Sequence, residues 1–400
     1  MASFPIQPIS RFHGVKTSIK RPFEIAHYSV DRNRQVHVYS DEQLRFYYPP
    51  FFPELSKDVQ TPHQRPDLST GFDKFIKRDE SVDEHLDGLL DTLIEHETRA
   101  GEIVQADVVA FRGQITKIMT SPFDRHADFE MNATCYQGAI YIEENLEHRD
   151  NGKPHRTQKN DQAMFQYWGY KFESLATLPR PWSDCSREEI ESRDDEACDN
   201  IAEYCSVVRT SIGVSNLVIG GEVDCVLGGK PEDPSSQPVS YIELKTSKRL
   251  ENDRDALNFE QKMCRFWAQS FLLGVPTIVV GWRSRNGYLL ELEEISTQKI
   301  PGKVKREGRG TWDGNICINF TAAFLDCLKA TLQPHDGNDG GVWRVEFKKG
   351  MPGIGIRKVE ATGTGRIIKE EFKRHREKMA ELKAQRDKFA AKEVLDRLGR

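Results

Sequence analysis

The hydrophobic pattern of the chain predicts two amphipathic helices. Between Ser81 and Ile94, apolar residues recur at three- and four-residue spacings, at Leu86, Leu89, Leu90, Leu93 and Ile94. Such spacing places the apolar side chains on one face of a helix, and Ser81 with Glu84 matches a capping box at its start. A second amphipathic stretch covers residues 256–273. We expect both helices to pack against a sheet.

Short apolar runs rich in β-branched and aromatic residues predict strands. They occur within residues 21–48, 138–142, 217–227, 239–245 and 277–282. Residues 217–227, with a possible bend at Gly220-Gly221, are expected to pair antiparallel with residues 239–245 through a long loop. We also predict a hairpin of residues 104–111 and 115–119 that turns near Gly113, and a strand over Tyr167–Leu175. These elements indicate a mixed α/β (α+β) fold.

The remaining segments are polar. Residues 50–80 are typical of a surface loop, and the acidic stretch 186–199 of a solvated helix or loop. From residue 346 onward the chain has 16 Lys and Arg against 9 Asp and Glu, whereas the preceding part is acidic. We therefore predict a single main domain over residues 1–345 and a basic extension over residues 346–400. Its glycine-containing first half is expected to be a loop, and residues 366–398 a charged helix.

The composition narrows the class of protein. The chain has 400 residues, is 38% hydrophobic and 30% charged, and carries a formal net charge of -5. These values are typical of a globular protein, and leave room for local basic clefts that bind phosphate. The eight cysteines form no CxxC pair for zinc or disulfide exchange, which favours a reduced intracellular compartment. No run of about 18 apolar residues and no secretory signal occurs, so we expect neither secretion nor a membrane span.

Candidate chemistry is concentrated on the two predicted central strands. Glu222 and Asp224 are separated by one residue, as are Glu243 and Lys245, so each pair projects from one face of its strand. Three carboxylates on one spot repel one another unless a cation joins them, and oxygen ligands of this kind favour Mg²⁺ or Mn²⁺. The pattern therefore predicts a divalent metal site.

Spacing alone is a weak signal, because Glu-x-Lys also occurs at Glu371-Phe372-Lys373 and Glu381-Leu382-Lys383. Those two matches lie in the predicted C-terminal helix, where residues i and i+2 do not share a face. Glu243-Leu244-Lys245 differs because it ends an apolar strand and follows an acidic pair on the neighbouring strand. This arrangement is similar to the D-(x)n-E-x-K core of the restriction-endonuclease-like (PD-(D/E)xK) nucleases.

Five ordered motifs give a closer resemblance, to the decapping exoribonuclease (DXO/Rai) family of RNA 5′-end enzymes. They are Arg112, Gly169–Glu173, Gly221–Asp224, Glu243–Lys245 and Trp267–Phe271. The resemblance spans residues 20–345. It implies twisted mixed β-sheets flanked by helices, and removal of incomplete caps, 5′-terminal NAD or pyrophosphate from 5′-triphosphate RNA, followed in some members by 5′→3′ exonuclease activity. The basic end and the length resemble the fungal branch, which implies a nuclear location and a complex with an XRN-type 5′→3′ exoribonuclease.

The resemblance also implies roles for individual residues. Metal ligands, direct or through water, would come from Glu173, Glu222, Asp224, Glu243 and the carbonyl of Leu244, around Mg²⁺ or Mn²⁺, with two ions expected. Lys245 and Gln269 would orient the attacking water and contact the substrate. Arg112 would hold a phosphate of the RNA through charge-assisted hydrogen bonds. The expected catalytic set is therefore Glu173, Asp224, Glu243, Lys245 and Gln269.

Two other functions stay open from the sequence. The chain could mainly stabilise or activate a nuclear 5′→3′ exoribonuclease, although a pure scaffold gives no reason for four carboxylates and a lysine in register. Restriction-type cleavage of DNA is chemically possible. It is less favoured, because Arg112, Glu173 and Gln269 match the RNA enzymes.

Overall fold

The computed structural model describes residues 2–50, 65–124, 127–151, 156–233, 236, 238–336, 341–348 and 350–398. The strands are β1 (Ala2–Pro5), β2 (Ile19–Val30), β3 (Val36–Val38), β4 (Phe46–Tyr47), β5 (Val108–Phe111), β6 (Phe129–Tyr136), β7 (Ala139–Glu144), β8 (Thr177–Leu178), β9 (Glu203–Ile212), β10 (Ser215–Glu222), β11 (Cys225–Val226), β12 (Tyr241–Lys248), β13 (Thr277–Arg283), β14 (Leu289–Ser296), β15 (Val342–Phe347) and β16 (Gly353–Val359). The helices are α1 (Asp87–Ala100), α2 (Arg112–Thr120), α3 (Leu146–Asn151), α4 (Arg156–Ala176), α5 (Arg187–Glu191), α6 (Asp253–Leu273), α7 (Ile300–Arg306), α8 (Gly314–Leu332) and α9 (Glu370–Leu398).

Within the described residues the strands form two sheets. The larger has ten strands in the order β1-β16-β15-β6-β7-β5-β10-β9-β2-β3, and the smaller six in the order β14-β13-β12-β11-β4-β8. Strand β5 runs parallel to both β7 and β10, and β12 runs parallel to β13, whereas most other pairs are antiparallel. The helices flank these mixed sheets. The predicted α/β (α+β) class is confirmed.

The chain passes from one sheet to the other between Glu222 and Cys225. Glu222 ends β10 opposite Cys205 of β9 in the larger sheet, and Cys225 begins β11 in the smaller sheet. The predicted continuous strand over residues 217–227 is therefore wrong. Only its last part pairs with β12, through Cys225 opposite Ile242 and Val226 opposite Tyr241. This crossing places Glu222 and Asp224 where the two sheets meet.

The buried apolar side chains form three clusters. The largest lies between the sheets and helices α2, α6 and α8, a second packs α1 and the start of α9 on the other face of the larger sheet, and a third packs α4 against the smaller sheet. Several kcal/mol of transfer free energy accompany burial of even a few such side chains. The site described below is thus held by three independent packing regions.

Two predicted elements near the site are wrong. Residues 167–175 belong to helix α4, because Trp168, Phe172 and Leu175 recur at helical spacing and bury one face, which outweighs the strand preference of aromatic residues. Similarly, only residues 108–111 of the predicted hairpin form a strand. Ile115, Ile118 and Met119 have helical spacing and lie buried on α2.

The start of the first predicted helix also differs. Helix α1 begins at Asp87, after Leu86, and its N-cap makes no side-chain hydrogen bond. Glu84 does not close a capping box with Ser81. Its carboxylate instead accepts hydrogen bonds from Arg34 and Arg78, since a pair of guanidinium partners is available across the turn. The predicted helices over 256–273 and 366–398 are confirmed as α6 and α9.

The basic C-terminal part is not a loop throughout. Residues 353–359 form β16, which pairs with both β1 and β15, so the predicted loop is wrong there. Gly353 lies so close to the backbone of Phe4 that a Cβ atom would not fit, so the first residue of this strand has to be a glycine. The division of the chain at residues 345/346 stays a prediction. Of the loop predicted over residues 50–80, residues 51–64 lie outside the described residues, and residues 65–80 contain one short 3₁₀ turn, Phe72–Lys74.

Among the described residues, no helix has the length and apolar character needed to cross a membrane.

Candidate active site

The acidic centre lies at the open edge of β12. Strand β11 covers only the first residues of β12, so residues from Glu243 onward face the region where the chain crosses between sheets. Asp224 lies beside them, and its Oδ2 accepts a hydrogen bond from the Leu244 amide at 2.6 Å. The predicted convergence of the two short motifs is therefore present, with the crossing segment rather than a regular hairpin bringing them together.

Glu243 is completely buried between two cations. Its Oε2 accepts a hydrogen bond from Arg112 Nη1 at 2.7 Å, and Lys245 Nζ lies 2.7 Å from its Oε1. Each of the two carboxylate oxygens of Glu243 is therefore paired with a cation. Burial alone would raise the pKa of Glu243, but Arg112 and Lys245 outweigh it and lower that pKa to about 2. Glu243 is thus ionised at neutral pH.

The other three carboxylates have the opposite electrostatic environment. Burial, followed by the charge of neighbouring carboxylates, raises the pKa of Asp224 to about 6 and raises that of Glu173 well above its usual range. The Glu222 side chain is exposed in the cleft, yet the surrounding protein atoms and the charges of Glu203 and Asp224 also raise its pKa. Crowded acids of this kind favour a bound cation, because a cation removes their mutual repulsion.

Glu173 reaches this centre from helix α4 rather than from the predicted strand. It follows the buried Phe172, which packs against Gly281 of β13 and fixes the helix on the smaller sheet. Glu173 lines a cavity of about 500 Å³ together with Glu222 and Asp224. The structure therefore brings Glu173 to the predicted place from a different element.

Arg112 and Gln269 lie on the other side of Glu222. They line a larger cavity of about 1070 Å³ with Gly221 and Glu222. Arg112 is the first residue of α2 and Gln269 lies in the last two turns of α6, so two helix ends meet here. Because Glu222 borders both cavities, it joins the two halves of one cleft. The other predicted residues line this cleft or adjoin it. Its lining includes Arg112, Glu173, Asp224 and Gln269, while Leu244 contacts Asp224, and Glu243 and Lys245 adjoin the cleft through the contact of Glu243 with Arg112.

Sequence reasoning missed several charged residues of the cleft wall. Glu203 contributes the largest charge effect on Glu222, and it lies two residues before Cys205, the strand partner of Glu222. Arg34 and Arg78 bind Glu203 and Glu84 on this wall. Pairing β9 with β10 from the Gly213-Val214 turn would have located Glu203. No local pattern identifies Arg34, whose partners Glu84 and Glu203 are 50 and 169 residues away in the chain, or the contact of Arg78 with Glu203.

The donor set fits a divalent metal. Among the described residues, no three His, Cys, Asp or Glu side chains already surround one point as they do around a bound ion. Nevertheless the cleft offers four carboxylates and the Leu244 carbonyl, all hard oxygen donors suited to Mg²⁺ or Mn²⁺. The mutual repulsion of Glu173, Glu222 and Asp224 favours a bound cation.

Comparison with known proteins identifies the family. Residues 20–373 match the RAI1-like PD-(D/E)XK nuclease family. The chain belongs to this family. It is 47% identical over 375 residues to a protein of Aspergillus fumigatus named decapping nuclease RAI1. The match covers 92% of this chain and 97% of that protein. The resemblance inferred from the five motifs is thereby confirmed.

Two solved structures of the same family share the fold at 28% sequence identity. The match to Candida albicans Rai1 in complex with pU5 and Mn²⁺ has a TM-score of 0.80 and covers 94% of this chain and 99% of that chain. Scheffersomyces stipitis Rai1 in complex with 3′-NADP⁺ and a calcium ion has a TM-score of 0.79 and covers 94% and 100%. Membership of the RAI1-like family makes this chain a nuclease-type hydrolase. The roles of individual side chains stay predictions.

Proposed function

We propose that the chain hydrolyses phosphate linkages at RNA 5′ ends, removing pyrophosphate from 5′-triphosphate RNA and releasing incomplete caps or 5′-NAD. One observation carries the proposal: Glu222 joins a cavity containing Glu173 and Asp224 to a larger cavity containing Arg112 and Gln269. The relatives support it, since one is named a decapping nuclease and solved Rai1 structures hold an RNA or an NAD-type ligand.

The residues of the cleft have two proposed roles, which are metal binding and orientation of the reacting groups. Glu173, Glu222, Asp224, Glu243 and the Leu244 carbonyl would hold Mg²⁺ or Mn²⁺, as one or two ions. Such a cation would lower the pKa of a bound water molecule and offset the negative charge that builds on the reacting phosphate. Lys245 keeps its proton at neutral pH because Glu243 and Asp224 raise its pKa against the effect of burial. It therefore orients a water or phosphate oxygen as a donor, and Gln269 adds a neutral donor from the opposite wall.

Arg112 links substrate binding to the acidic centre. One guanidinium nitrogen donates to Glu243, which leaves further N–H donors of the planar group for a phosphate oxygen in the cleft. The cavity beside Arg112, about 1070 Å³, exceeds the volume of a single nucleotide and accepts a dinucleotide-sized leaving group. This supports release of a cap or NAD as well as pyrophosphate.

The test compares 5′ ends on one RNA sequence. Purified protein with Mg²⁺ or Mn²⁺ is incubated with RNAs carrying triphosphate, an unmethylated cap, NAD or monophosphate, and the released product is identified by mass. We expect pyrophosphate, cap or NAD release, and loss of at least a hundredfold in turnover for Glu243→Gln.

The control is Glu203→Gln, which changes a carboxylate of the cleft wall but no proposed ligand. Glu203→Gln is expected to retain at least a third of the wild-type turnover. Equal turnover of wild type and Glu243→Gln, or no release from any of the four RNAs, would refute the proposal.

The partner and the location form a separate part of the proposal. Resemblance to the fungal Rai branch supports a nuclear complex with an XRN-type 5′→3′ exoribonuclease, which would degrade the 5′-monophosphate RNA that this chain releases. A tagged chain at its natural expression level should be nuclear and should co-purify that exoribonuclease. If the main task is to stabilise the partner, Glu243→Gln will support the partner's activity as well as wild type does.

A further inference from the structure

A basic recess lies on the larger sheet, away from the acidic centre. It has a volume of about 310 Å³ and is formed by side chains of β2, β9 and β10. Its lining consists of three cations, two apolar side chains and two polar ones: Lys20, Arg21, Arg209, Phe23, Ile25, Thr210 and Asn216. None of these seven residues is acidic. The basic recess is therefore positively charged in a chain whose formal net charge is -5.

The three cations of the basic recess are exposed and not neutralised. Among the described side chains, Lys20, Arg21 and Arg209 make no ion pair with a carboxylate. The nearby carboxylate of Asp107 accepts a hydrogen bond from the Asn216 amide at 2.7 Å, and its ion-pair partner is Lys329 of α8. Three exposed cations around one recess favour an anionic ligand.

An irregularity of β2 shapes the basic recess. The register of β2 against β9 shifts between Lys20 and Phe23, so that two residues of β2 lie opposite one residue of β9. This bulge is held at two points. Thr210 Oγ1 donates a hydrogen bond to the Lys20 carbonyl at 2.6 Å, and a Cβ atom on Gly274 would lie 3.2 Å from Pro22 Cβ. The recess is therefore built into the sheet by contacts with β9 and with the end of α6.

An aromatic ring adjoins the cations. Phe23 lies opposite Arg209 on neighbouring antiparallel strands, and residues paired in this way project from one face of a sheet. The Phe23 side chain is 45% exposed. Proteins bind single-stranded nucleic acid with this combination, because a base stacks on the ring while cations hold the backbone phosphates. An acidic peptide would satisfy the cations, but its carboxylate side chains offer no flat surface to the ring.

The basic recess and the acidic centre lie along the same two strands. Arg209 of β9 is opposite Val218 of β10, and four residues further along the pair Cys205 is opposite Glu222. Four residues of strand span about 13 Å, and an even separation places both rows on one face of the sheet. Helix α1 packs over the rows between them. The basic recess is thus a separate surface site at a short distance from the cleft.

We propose that the basic recess binds single-stranded RNA downstream of the reacting 5′ end, with Arg21 and Arg209 on backbone phosphates and a base stacked on Phe23. This inference rests on the proposed function, since it assigns a second contact of the same substrate. Guanidinium groups supply several N–H donors for phosphate oxygens. At about 3.4 Å per stacked nucleotide, roughly four nucleotides cover the distance from the cleft. RNA affinity therefore depends on RNA length.

The test measures binding and turnover with two RNA lengths. A decamer reaches both the cleft and the basic recess, whereas a 5′-triphosphate dinucleotide in the cleft does not reach the recess. Binding of the decamer is measured in chelator, so that no metal-dependent hydrolysis occurs, at several salt concentrations. For Arg209→Gln we expect decamer affinity about tenfold weaker and a logarithmic salt slope smaller by about 0.7. Turnover of the dinucleotide should stay within twofold of wild type.

Three variants separate this site from general charge effects. Arg254→Gln removes an exposed arginine of α6 that makes no ion pair with a described carboxylate, and it should change neither affinity nor slope. Arg209→Lys retains the charge and should retain the wild-type slope. Phe23→Leu keeps an apolar side chain but removes the ring, and should weaken decamer binding at least about fivefold without changing the slope. Melting temperatures establish that each variant is folded.

The outcomes distinguish this inference from the proposed function. Wild-type decamer affinity and slope in Arg209→Gln, while wild type hydrolyses both RNAs, would overturn the RNA site alone. Equal weakening by Arg254→Gln would also overturn it, because the effect would then be one of net charge. If Arg209→Gln binds the decamer normally but loses affinity for an oligoglutamate peptide, the recess serves an acidic protein segment and the RNA site is wrong. Failure of wild type to hydrolyse either RNA would instead refute the proposed function.

Discussion

At the scale of single residues, the geometry of the site depends on two close contacts of Gly221. A Cβ atom on Gly221 would lie 2.8 Å from Leu273 Cδ1 and 3.0 Å from Arg112 Cβ. Leu273 ends α6 and Arg112 begins α2, so the glycine sets the distance of both helix ends from β10. The next residue is Glu222. The absence of a side chain at Gly221 therefore sets the positions of Arg112 and Glu222, and of the end of α6 that carries Gln269.

We predict that Gly221→Ala costs about 1–3 kcal/mol of unfolding free energy through overpacking. It should also lower turnover at least tenfold, because Arg112 shifts relative to Glu243. Gly113→Ala is the matched control, since a Cβ atom there meets nothing within 4 Å and alanine is the better helix former. Chemical denaturation and turnover measure both effects. Wild-type turnover in Gly221→Ala would contradict the positioning role.

The structure brings together the candidate residues that the sequence singled out, but not always on the elements that the sequence predicted. Glu222, Asp224, Glu243 and Lys245 could be found because each pair repeats at strand spacing within a few residues. Glu173 was found only through the family motif, and its helix was mistaken for a strand because aromatic residues have high strand propensity. Glu203 was missed, because its approach to Glu222 depends on the pairing of β9 with β10.

At the scale of elements, some helices and strands follow from local patterns and others depend on distant parts of the chain. The amphipathic helices α1 and α6 and strand β13 follow from local periodicity. The order of strands in the larger sheet does not, since β16 inserts between β1 and β15 and joins the two ends of the chain. Contacts over such sequence separations depend on the packing of the whole domain. For this reason a glycine-rich, basic segment could not be recognised as a strand.

An ion cluster ties β15 to β6 beside this junction. Glu130 accepts a hydrogen bond from Arg344 at 2.9 Å and lies 2.6 Å from Lys348 Nζ. Burial opposes ionisation of Glu130, but Lys348, Arg344 and His148 outweigh it and lower the pKa to about 2. The ordinary pKa of an unfolded glutamate is about 4.3. Because the folded pKa is the lower one, the stabilisation is present above about pH 4.3 and is lost as pH falls towards 2.

We therefore predict that Glu130→Gln loses up to about 3 kcal/mol of unfolding free energy at pH 7. The difference from wild type should shrink steadily between pH 5 and pH 2.5. Glu371→Gln, which removes an exposed partner of Arg374, should cost less than about 1 kcal/mol. Denaturant unfolding across this pH range provides the measurement. A difference that stays constant with pH would show that the charge of Glu130 contributes nothing.

At the scale of the whole molecule, the acidic centre weakens the metal-free fold. Asp224 has a folded pKa of about 6, above its ordinary value, so its charged form opposes folding near pH 7 when no cation is bound. Asp224→Asn retains an oxygen that accepts the hydrogen bond from the Leu244 amide, and it removes the charge. We predict that this variant melts no lower than wild type in chelator.

Added Mn²⁺ should raise the melting temperature of wild type at least twice as much as that of Asp224→Asn, because a ligand that binds only the folded state stabilises it according to its affinity. Glu371→Gln, which removes an exposed carboxylate of α9, serves as control and should respond like wild type. Equal shifts for wild type and Asp224→Asn would locate the metal elsewhere.

The last prediction concerns how much of the C-terminal part belongs to the folded body. Composition placed a boundary at residues 345/346, and on that basis removal of everything after residue 350 should leave hydrolysis of a short RNA intact. The structure argues otherwise. Strand β16 fills the space between β1 and β15, Phe372 is fully buried beside α1, and Arg376 binds the buried Glu97 at 2.7 Å.

Residues 381–390, by contrast, are exposed around the whole helix, with Phe389 67% exposed. We predict that truncation after Ala380 retains the wild-type fold and short-RNA turnover within twofold. Truncation after Gly350 should give insoluble or unfolded protein, because it exposes two strand edges, and loss of Phe372 alone costs about 3–5 kcal/mol. Circular dichroism, melting and turnover on a 5′-triphosphate dinucleotide distinguish the two truncations. A folded, active chain ending at Gly350 would restore the boundary that the composition indicates, whereas loss of turnover in a folded chain ending at Ala380 would mean that the exposed end of α9 contributes to the cleft.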